Sequence, residues 1–302
     1  MNWGIVLTVK NFTNNQNKTA IIDVGSNSVR YALYPSDVLQ KKEVATTRLA
    51  KDIKDGYLSK ESIDRTTRAI SDFYNKAKTA GVLDVKIFAT AALRNAKNKE
   101  DFILALNKLC DGKVDIISGE QEAFLGALGA LNGSDGGVID VGGASTEVIV
   151  LNKGKVLFSK SINVGAVTLT EKFRSEKNNA KAYLKEIFSV FSDVDCKFFK
   201  TIGGTATTIA SILLKLVDYD PNKVHGYDIS IVELEKLVDN LYSLDLDARK
   251  NILGLRPERA DVIPCGVLIL TELLKILNVK RVTVSETDNM EGYYMLKGKI
   301  NG

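Results

Sequence analysis

The sequence predicts an α/β protein made of two related lobes around a cleft. The first observation behind this prediction is an internal repeat: residues 20–33 and 137–151 each contain an apolar run, a short polar loop with glycine, and a second apolar run. That pattern is typical of a strand, a tight turn and a second strand. The second observation is that short apolar runs alternate with helix-like segments along the rest of the chain.

The two copies of the repeat match at an acidic, a glycine and a serine position. Each position is separated from its counterpart by 117 residues: Asp23 and Asp140, Gly25 and Gly142, Ser28 and Ser145. A single Asp-Gly hairpin would be an ordinary turn. A repeat spaced by more than about 100 residues is too long for a solenoid unit, and therefore indicates two similar lobes. We expect each lobe to present one loop of backbone N–H groups, suited to phosphate, to a shared cleft.

The composition is that of a globular protein, with 45% hydrophobic and 26% charged residues among 302. The net charge of +4 comes from scattered Lys and Arg, which argues against a nucleic-acid partner and is compatible with a small polyanion. Three cysteines without Cys-x-x-Cys spacing argue against zinc and disulfides, so we expect a cytoplasmic protein. Residues 1–17 hold too short an apolar run for a membrane span or signal peptide, and we interpret them as an N-terminal extension.

In the first lobe, two helices and three strands are expected between the first hairpin and residue 117. Ser59 begins a helix that ends at Gly81, and Asn98 caps a shorter one. We expect these helix residues to face inward: Ile63, Ile70, Phe73 and Ala77 in the first helix, and Phe102, Leu106 and Leu109 in the second. The strands are expected at residues 43–50, 85–89 and 114–117.

Two charged residues of this lobe follow the ends of strands, where α/β sheets bind ligands. Arg94 comes shortly after the strand at 85–89, although an ordinary surface arginine is the alternative. Glu120 and Glu122 begin the next helix. We interpret Glu120 as complementing the helix dipole, and Glu122 as a candidate general base because its helix leads directly to the second loop.

The lobe boundary is expected near residues 131–135, which gives an N-terminal lobe of residues 1–132 and a C-terminal lobe of residues 133–302. The last helix belongs to the second lobe or packs back on the first. Further strands are expected at 156–162, 198–202 and 281–285, and helices at 178–193, 231–241 and 262–277 and after Gly165. Gly203 and Gly204 open another helix, which could receive phosphate or serve as an interdomain packing turn.

Several catalytic classes are disfavoured. His225 is the only histidine, and neither a Gly-x-Ser-x-Gly elbow nor a Walker A loop is present, so we interpret His225 as structural. If Asp23, Asp140 and Glu147 converge, carboxylates about 4 Å apart would repel by roughly 4 kcal/mol at an effective dielectric near 20. Mg²⁺ bound through carboxylates, waters and ligand phosphates would relieve that repulsion.

Seven motifs, in the order of the family, resemble the exopolyphosphatase/guanosine pentaphosphate phosphohydrolase (Ppx/GppA) family. They lie at residues 23–30, 90–94, 118–123, 140–147, 203–205, 224–226 and 256–261. The resemblance implies the two-lobed actin, sugar kinase and heat-shock ATPase (ribonuclease H-like) fold, in the short form that lacks the extra helical domain of longer members. It also implies a cytoplasmic bacterial hydrolase, as a monomer or homodimer, that releases terminal phosphate from inorganic polyphosphate or guanosine pentaphosphate with Mg²⁺, with or without a monovalent cation.

The resemblance also assigns roles to residues. Glu122 matches the catalytic glutamate that assists water attack, and Asp140 and Glu147 match the metal-linked acids, with Asp23 as a further candidate. The phosphate-binding positions are Arg94 and the two loops: Gly25, Ser26, Asn27 and Ser28, and Gly142, Gly143, Ala144 and Ser145. Arg30 and Arg259 match contacts to guanosine tetra- or pentaphosphate, with salt bridges across the lobes as the alternative.

This sequence departs from the family pattern at three places. Phe124 stands where the family has arginine, Ala144 where it has glycine, and residues 288–292 where it reads Gly-Leu-Arg-Glu-Gly. The alternative function is therefore a weakly active or non-catalytic sensor of polyphosphate or guanosine tetraphosphate. A sugar kinase or actin-like ATPase shares the fold, but we identify no adenosine or sugar pocket. Two loops and Arg94 would hold only a few phosphates, so we expect poor processivity on long chains.

Overall fold

The computed structural model describes residues 18–35, 42–51, 53–174 and 176–298. The chain divides into two units: the first comprises residues up to Leu125 and from Tyr293 onward, and the second is Gly126–Gly292. The extension expected at residues 1–17 lies outside the described residues.

The first unit is built on a five-stranded mixed sheet with the strand order β3-β2-β1-β4-β5. Its strands are β1 (Thr19–Val24), β2 (Ser28–Tyr34), β3 (Glu43–Thr46), β4 (Asp84–Ala89) and β5 (Val114–Ile116). Its helices are α1 (Lys60–Thr79), α2 (Ala91–Arg94), α3 (Lys99–Asn107) and the start of α4 (Gly119–Leu131). Strands β1, β4 and β5 run parallel, whereas β2 is antiparallel to both β1 and β3.

Helix α1 forms as its sequence predicts. The Ser59 hydroxyl accepts a hydrogen bond from the Ser62 N–H, which caps the helix. Ile63, Ile70 and Ala77 are buried on one face. Phe73, on the same face, is partly buried and stacks on Tyr31 of β2, with ring centroids 5.2 Å apart. This face of α1 covers the central strand β1, all six residues of which are buried.

Three local predictions for the first unit are wrong. The strand expected at 43–50 ends at Thr46, because the N–H groups of Thr47 and Arg48 both donate to the carbonyl of Asn27. The Asn98 side chain does not cap α3; it accepts from the Leu58 N–H and donates to the Leu58 carbonyl. Leu109 lies beyond the helix and is 44% exposed.

The second unit is built on a six-stranded sheet with the order β10-β11-β9-β6-β7-β8. Its strands are β6 (Gly136–Val141), β7 (Thr146–Asn152), β8 (Lys155–Ile162), β9 (Phe199–Ile202), β10 (Asp228–Ser230) and β11 (Arg281–Val284). Its helices are α5 (Ala166–Phe173), α6 (Lys177–Ile187), α7 (Gly203–Leu213), α8 (Pro221–Val224), α9 (Ile231–Ser243), α10 (Leu246–Lys250), α11 (Ile263–Ile276) and α12 (Asn289–Tyr293). The helix expected at 178–193 is α6 followed by a 3₁₀ turn at Phe188–Phe191.

The internal repeat extends to the topology of the two sheets. The order β8-β7-β6-β9-β11 reproduces β3-β2-β1-β4-β5, with the same pattern of antiparallel and parallel neighbours. Strand β10 is an addition at the edge of the second sheet. The two sheets confirm the prediction of two lobes of related topology.

The core of the second unit is organised around α11. Twelve of its fourteen residues are buried, and it packs against α5, α6, α7 and α9. This result confirms the prediction of a buried core helix. In the described ranges, no helix is both long and apolar enough to cross a membrane.

The end of α12 and the π-helical turn Tyr294–Gly298 belong to the first unit. Tyr293 stacks on Phe88 of β4 with centroids 4.7 Å apart, and Tyr294 stacks on Tyr34 of β2 at 5.0 Å. The Tyr293 hydroxyl also donates to Asp115, at 3.1 Å. The units therefore divide inside α4 and inside α12, whereas the turn signal in the sequence placed the boundary in the loop after α4.

A capping box at the start of α9 makes the stability of the second unit depend on pH. The Ser230 hydroxyl and the Ser230 N–H both donate to Glu233, and these bonds hold the pKa of Glu233 below its ordinary value. We expect Glu233→Gln to lower the free energy of unfolding by about 1 kcal/mol at neutral pH. Because the folded-state pKa is depressed, that difference should vanish as the pH falls below about 4.3 and through the lower folded-state value.

Urea unfolding of the wild type and the variant from pH 7 to pH 3 measures this difference. Glu186→Gln is the matched control, because Glu186 is an exposed helical glutamate whose carboxylate makes no described contact. A difference that persists unchanged at pH 3 would contradict the prediction.

Candidate functional site

The two hairpin loops share one backbone geometry. The Gly25 N–H donates to the Ser28 carbonyl at 3.0 Å, and the Gly142 N–H donates to the Ser145 carbonyl at 2.9 Å. A Cβ atom on either glycine would lie 3.2 Å from that carbonyl oxygen, so glycine suits both positions. The loop tips, Ser26 and Asn27 in the first and Gly143 and Ala144 in the second, are exposed. Their predicted phosphate-binding role stays a prediction that this accessibility supports.

Each loop is anchored to the segment that follows the neighbouring parallel strand. The Val24 carbonyl accepts from the N–H of Thr90, directly after β4, at 3.2 Å. The Val141 carbonyl accepts from the hydroxyl of Thr205, shortly after β9, at 2.7 Å. Both loops therefore lie at the carboxyl ends of parallel strands, the edge at which α/β sheets bind ligands.

The strand pairs below the loops carry different charges. In the first unit, Asp23 faces Arg30 across β1 and β2, and the Arg30 Nε donates to Asp23 at 2.8 Å. Asp23 is only 3% exposed, and a carboxylate buried to that degree requires a charged or hydrogen-bonding partner. The metal role of Asp23 and the guanosine-phosphate role of Arg30 both stay predictions. A metal at Asp23 or a phosphate at Arg30 would have to compete with the ion pair between these two residues.

In the second unit, the equivalent positions are both acidic. Asp140 faces Glu147 across β6 and β7, and both side chains are half-buried. Gly203 has a positive φ of 83° and lies close to Asp140. A Cβ atom on Gly203 would be 2.5 Å from Asp140 Oδ1. Glycine at this position therefore leaves space beside the carboxylate.

This donor set suits Mg²⁺. Among the described residues no group of three or more His, Cys, Asp or Glu side chains forms a closed metal cage. Mg²⁺ is held in proteins by one or two carboxylates together with waters and substrate phosphates, so two neighbouring carboxylates are sufficient. Asp140 and Glu147 are the residues that would hold it.

Gly204 and Arg259 form a second close contact at the start of α7. A Cβ atom on Gly204 would lie 2.3 Å from Arg259 Nη1, and the same nitrogen donates to the Thr208 hydroxyl at 3.3 Å. Burial and the nearby Arg256 lower the pKa of Arg259. Within the described ranges, no carboxylate pairs with the Arg259 guanidinium. The absence of side chains at Gly203 and Gly204 therefore leaves room for two charged groups, the Asp140 carboxylate and the Arg259 guanidinium.

The structure brings Arg94 and Glu122 together in the first unit. Arg94 Nη1 lies 2.9 Å from Glu122 Oε2 and donates to the Ile117 carbonyl at 2.9 Å. Both side chains remain partly exposed, at 28% and 29%. Glu122 is in the first turn of α4, where Glu120 is exposed and makes no described side-chain contact. The candidate general base is therefore held by the arginine to which the family resemblance assigns a phosphate-binding role.

His225 occupies a structural position, since its Nδ1 accepts a hydrogen bond from the Glu286 N–H at 3.1 Å.

Sequence reasoning missed two residues near the candidate positions. Tyr219 donates to Glu286 and lies under the Arg256 guanidinium, 5.7 Å from ring centroid to carbon, and nothing in the sequence signals it. Ser161 donates to Glu147, and counting the register of β7 and β8 from their tight turn would not have found it, because the register shifts by one residue between Val150 and Leu151.

The departures from the family pattern have different structural settings. Ala144 is exposed at a loop tip, Phe124 is partly buried on α4, and Met290 is fully buried. Residues 288–292 form a helix start: Asp288 accepts from the Met290 N–H at 3.1 Å, and its own N–H donates to Glu291 at 2.6 Å. This segment is therefore accommodated as a cap of α12.

Most of this chain is similar in sequence to known phosphatases. Residues 21–297 match the sequence model of the Ppx/GppA phosphatase family. The chain is 32% identical to the bifunctional 3-dehydroquinate synthase/phosphatase of Fusobacterium nucleatum over 95% of its own length, and spans about half (47%) of that protein. It is 29% identical to exopolyphosphatase 2 of Mycobacterium tuberculosis, covering 91% of this chain and 97% of the relative. It is 30% identical to the guanosine-5'-triphosphate,3'-diphosphate pyrophosphatase of Aliivibrio fischeri, covering 90% of this chain and 58% of that relative.

Solved structures agree with the sequence comparison. The Aquifex aeolicus PPX-GPPA enzyme superposes with a TM-score of 0.84 at 28% identity, covering 93% of this chain and 99% of that one. An exopolyphosphatase from Cytophaga hutchinsonii superposes with a TM-score of 0.76 at 23% identity, covering 93% of this chain and 98% of that one. At this level of identity the likeness shows a common fold only. These similarities confirm the predicted fold class.

Gly203 provides a test of the space beside Asp140. We expect Gly203→Ala to lower the free energy of unfolding by about 1 kcal/mol through its positive φ, and in addition to displace the Asp140 carboxylate. Gly154→Ala is the matched control, because Gly154 also has a positive φ, of 70°, and a Cβ atom there meets nothing within 4 Å. Urea unfolding and crystal structures of both variants measure the two effects. An undisplaced Asp140 in Gly203→Ala would contradict the prediction.

Proposed function

Because the chain belongs to the Ppx/GppA phosphatase family, we propose that it hydrolyses the terminal phosphoanhydride of inorganic polyphosphate or of guanosine pentaphosphate. The observation that carries the proposal is the carboxylate of Glu122, fixed by Arg94 at the start of α4 and still partly accessible. The two substrate classes are those for which relatives of this chain are named.

In the proposed reaction Glu122 acts as general base. It accepts a proton from a water molecule, the water oxygen forms a bond to the terminal phosphorus, and the bond from that phosphorus to the bridging oxygen breaks. The products are inorganic phosphate and a substrate shorter by one phosphate. Arg94 restricts the rotation of the Glu122 carboxylate, so its oxygen is held ready for the proton.

The loops and the arginines supply binding. Exposed backbone N–H groups at the tips of residues 25–28 and 142–145 can donate to phosphate oxygens. Arg259, whose guanidinium lies close to Gly204 and, among the described residues, bonds to the Thr208 hydroxyl at 3.3 Å, is suited to a phosphate of the guanosine compound. Mg²⁺ held by Asp140 and Glu147 would neutralise negative charge on the phosphate oxygens.

The second candidate is a sensor that binds these ligands without turning them over. The observation that favours it is the placement of Phe124 and Met290, two apolar side chains where family members carry arginine, with Met290 fully buried. A phosphate-release assay with polyphosphate, guanosine pentaphosphate and ATP in the presence of Mg²⁺ separates the candidates. Release from the first two supports the hydrolase, binding without release supports the sensor, and release from ATP alone opposes both.

We expect Glu122→Gln to lower the turnover number by about 10²- to 10⁴-fold, because the amide keeps the shape of the side chain but cannot accept the proton. The affinity for tripolyphosphate, measured by calorimetry on the variant, should change little. Glu120→Gln is the matched control two residues away, on an exposed glutamate of the same turn. Wild-type turnover in Glu122→Gln would remove this residue from the mechanism.

Guanosine tetraphosphate should inhibit polyphosphate hydrolysis competitively, and Arg259→Ala should raise its inhibition constant about 10- to 100-fold, since one charge-assisted contact is lost. Hydrolysis of a short polyphosphate should fall less. Arg281→Ala is the control, because Arg281 is exposed on β11 and pairs with Asp228 at 3.5 Å. Equal inhibition of the wild type and Arg259→Ala by guanosine tetraphosphate would show that Arg259 has a structural role and does not bind this ligand.

A further inference from the structure

Glu147 is tied to a residue to which no role has been assigned. Ser161 lies directly opposite Glu147 in the pairing of β7 with β8, and its hydroxyl donates to Glu147 Oε1 at 2.6 Å. Asp140, Glu147 and Ser161 therefore form one row across three neighbouring strands. Among the described residues, Ser161 is the side chain that donates to Glu147.

The first unit shows what the same row looks like without such a serine. There Arg30 takes the position of Glu147 and Val44 takes the position of Ser161. The acid of that row, Asp23, is already neutralised by Arg30. The hydroxyl thus occurs in the row with two acids, and an apolar side chain replaces it in the row that contains its own cation.

The chemistry of a hydroxyl explains its use at this position. Two adjacent carboxylates repel each other, so an unrestrained Glu147 would rotate away from Asp140. A hydroxyl can hold one carboxylate oxygen without adding a charge that competes with the metal, as an arginine would. Oxygen Oε2 then remains on the same carboxylate for a cation or its water. Groups that orient metal ligands in this way typically change metal affinity by about 10- to 100-fold.

We propose that Ser161 is a positioning residue that orients Glu147 for a divalent cation. The inference rests on the proposed function, which assigns Asp140 and Glu147 to Mg²⁺. It extends that function, because it makes cation affinity depend on a hydroxyl on β8, one strand away from the metal-binding acids.

The experiment compares two isosteric variants of the full chain, Ser161→Thr and Ser161→Val, which differ only in the presence of the hydroxyl. Both are β-branched and suit a strand, so a difference between them does not reflect folding. The probe is Mn²⁺, whose binding to the protein without substrate is followed by electron paramagnetic resonance. We expect Ser161→Thr to bind Mn²⁺ like the wild type and Ser161→Val to bind it about tenfold more weakly.

Ser159→Ala is a further control, because Ser159 lies two residues earlier on β8, is exposed, and its side chain makes no described hydrogen bond. We expect it to leave the affinity for Mn²⁺ unchanged. In kinetic assays, Ser161→Val should raise the Mg²⁺ concentration for half-maximal activity, while the turnover number at saturating Mg²⁺ should stay within about twofold of the wild type. Equal Mn²⁺ affinity in Ser161→Val and Ser161→Thr would overturn the inference.

Glu147→Gln separates failure of this inference from failure of the proposed function. If Glu147→Gln weakens Mn²⁺ binding and Ser161→Val does not, the positioning role is wrong and the metal site stands. If neither variant weakens Mn²⁺ binding, the assignment of Glu147 to the metal is wrong, and the inference fails with it.

Discussion

The register of the two hairpins is the constraint on which the candidate site depends. In each hairpin a glycine N–H bonds to the carbonyl of a serine three residues later, and this bond closes the loop over one fixed set of cross-strand pairs. Because opposite side chains of a strand pair meet on the same face, the register decides which charges face each other. A shift by one residue would turn Asp23 or Asp140 to the other face of its sheet.

The two hairpins have the same backbone arrangement, but the two units stabilise their partly or fully buried carboxylates in different ways. Asp23 is almost fully buried, and desolvation of that kind is tolerated only when a partner such as Arg30 lies in contact. Asp140 and Glu147 are half-buried and face each other, so water and an added cation can share the stabilisation. Gly203 leaves room for the Asp140 carboxylate, and its neighbour Gly204 leaves room for the Arg259 guanidinium.

Local patterns in the sequence were sufficient for the hairpins, α1, α11 and the order of the elements, because periodicity and capping determine these features. They failed where a distant backbone group decides the outcome. Strand β3 is cut short by the carbonyl of Asn27, and the side chain of Asn98 bonds to Leu58 instead of its own helix. Neither partner can be found by looking at neighbouring residues.

The same distinction between local patterns and distant contacts applies to the candidate site. The repeat and the resemblance named Glu122, Asp140 and Glu147, but they did not show that Arg94 holds Glu122 or that Arg259 touches Gly204. Those contacts depend on how separate helices pack. The bond from Ser161 to Glu147 could not be predicted from the turn between β7 and β8 either, because a register shift between Val150 and Leu151 changes which residue lies opposite Glu147.

The stacking of Tyr293 and Tyr294 on Phe88 and Tyr34 has a consequence for biosynthesis. The rings that complete the first unit are made after the whole of residues 126–292, which are continuous in the chain. During translation, Phe88 and Tyr34 therefore lack their aromatic partners until the second unit has left the ribosome. The second unit has all of its own segments before the first does, which reverses the usual order in which N-terminal domains finish folding.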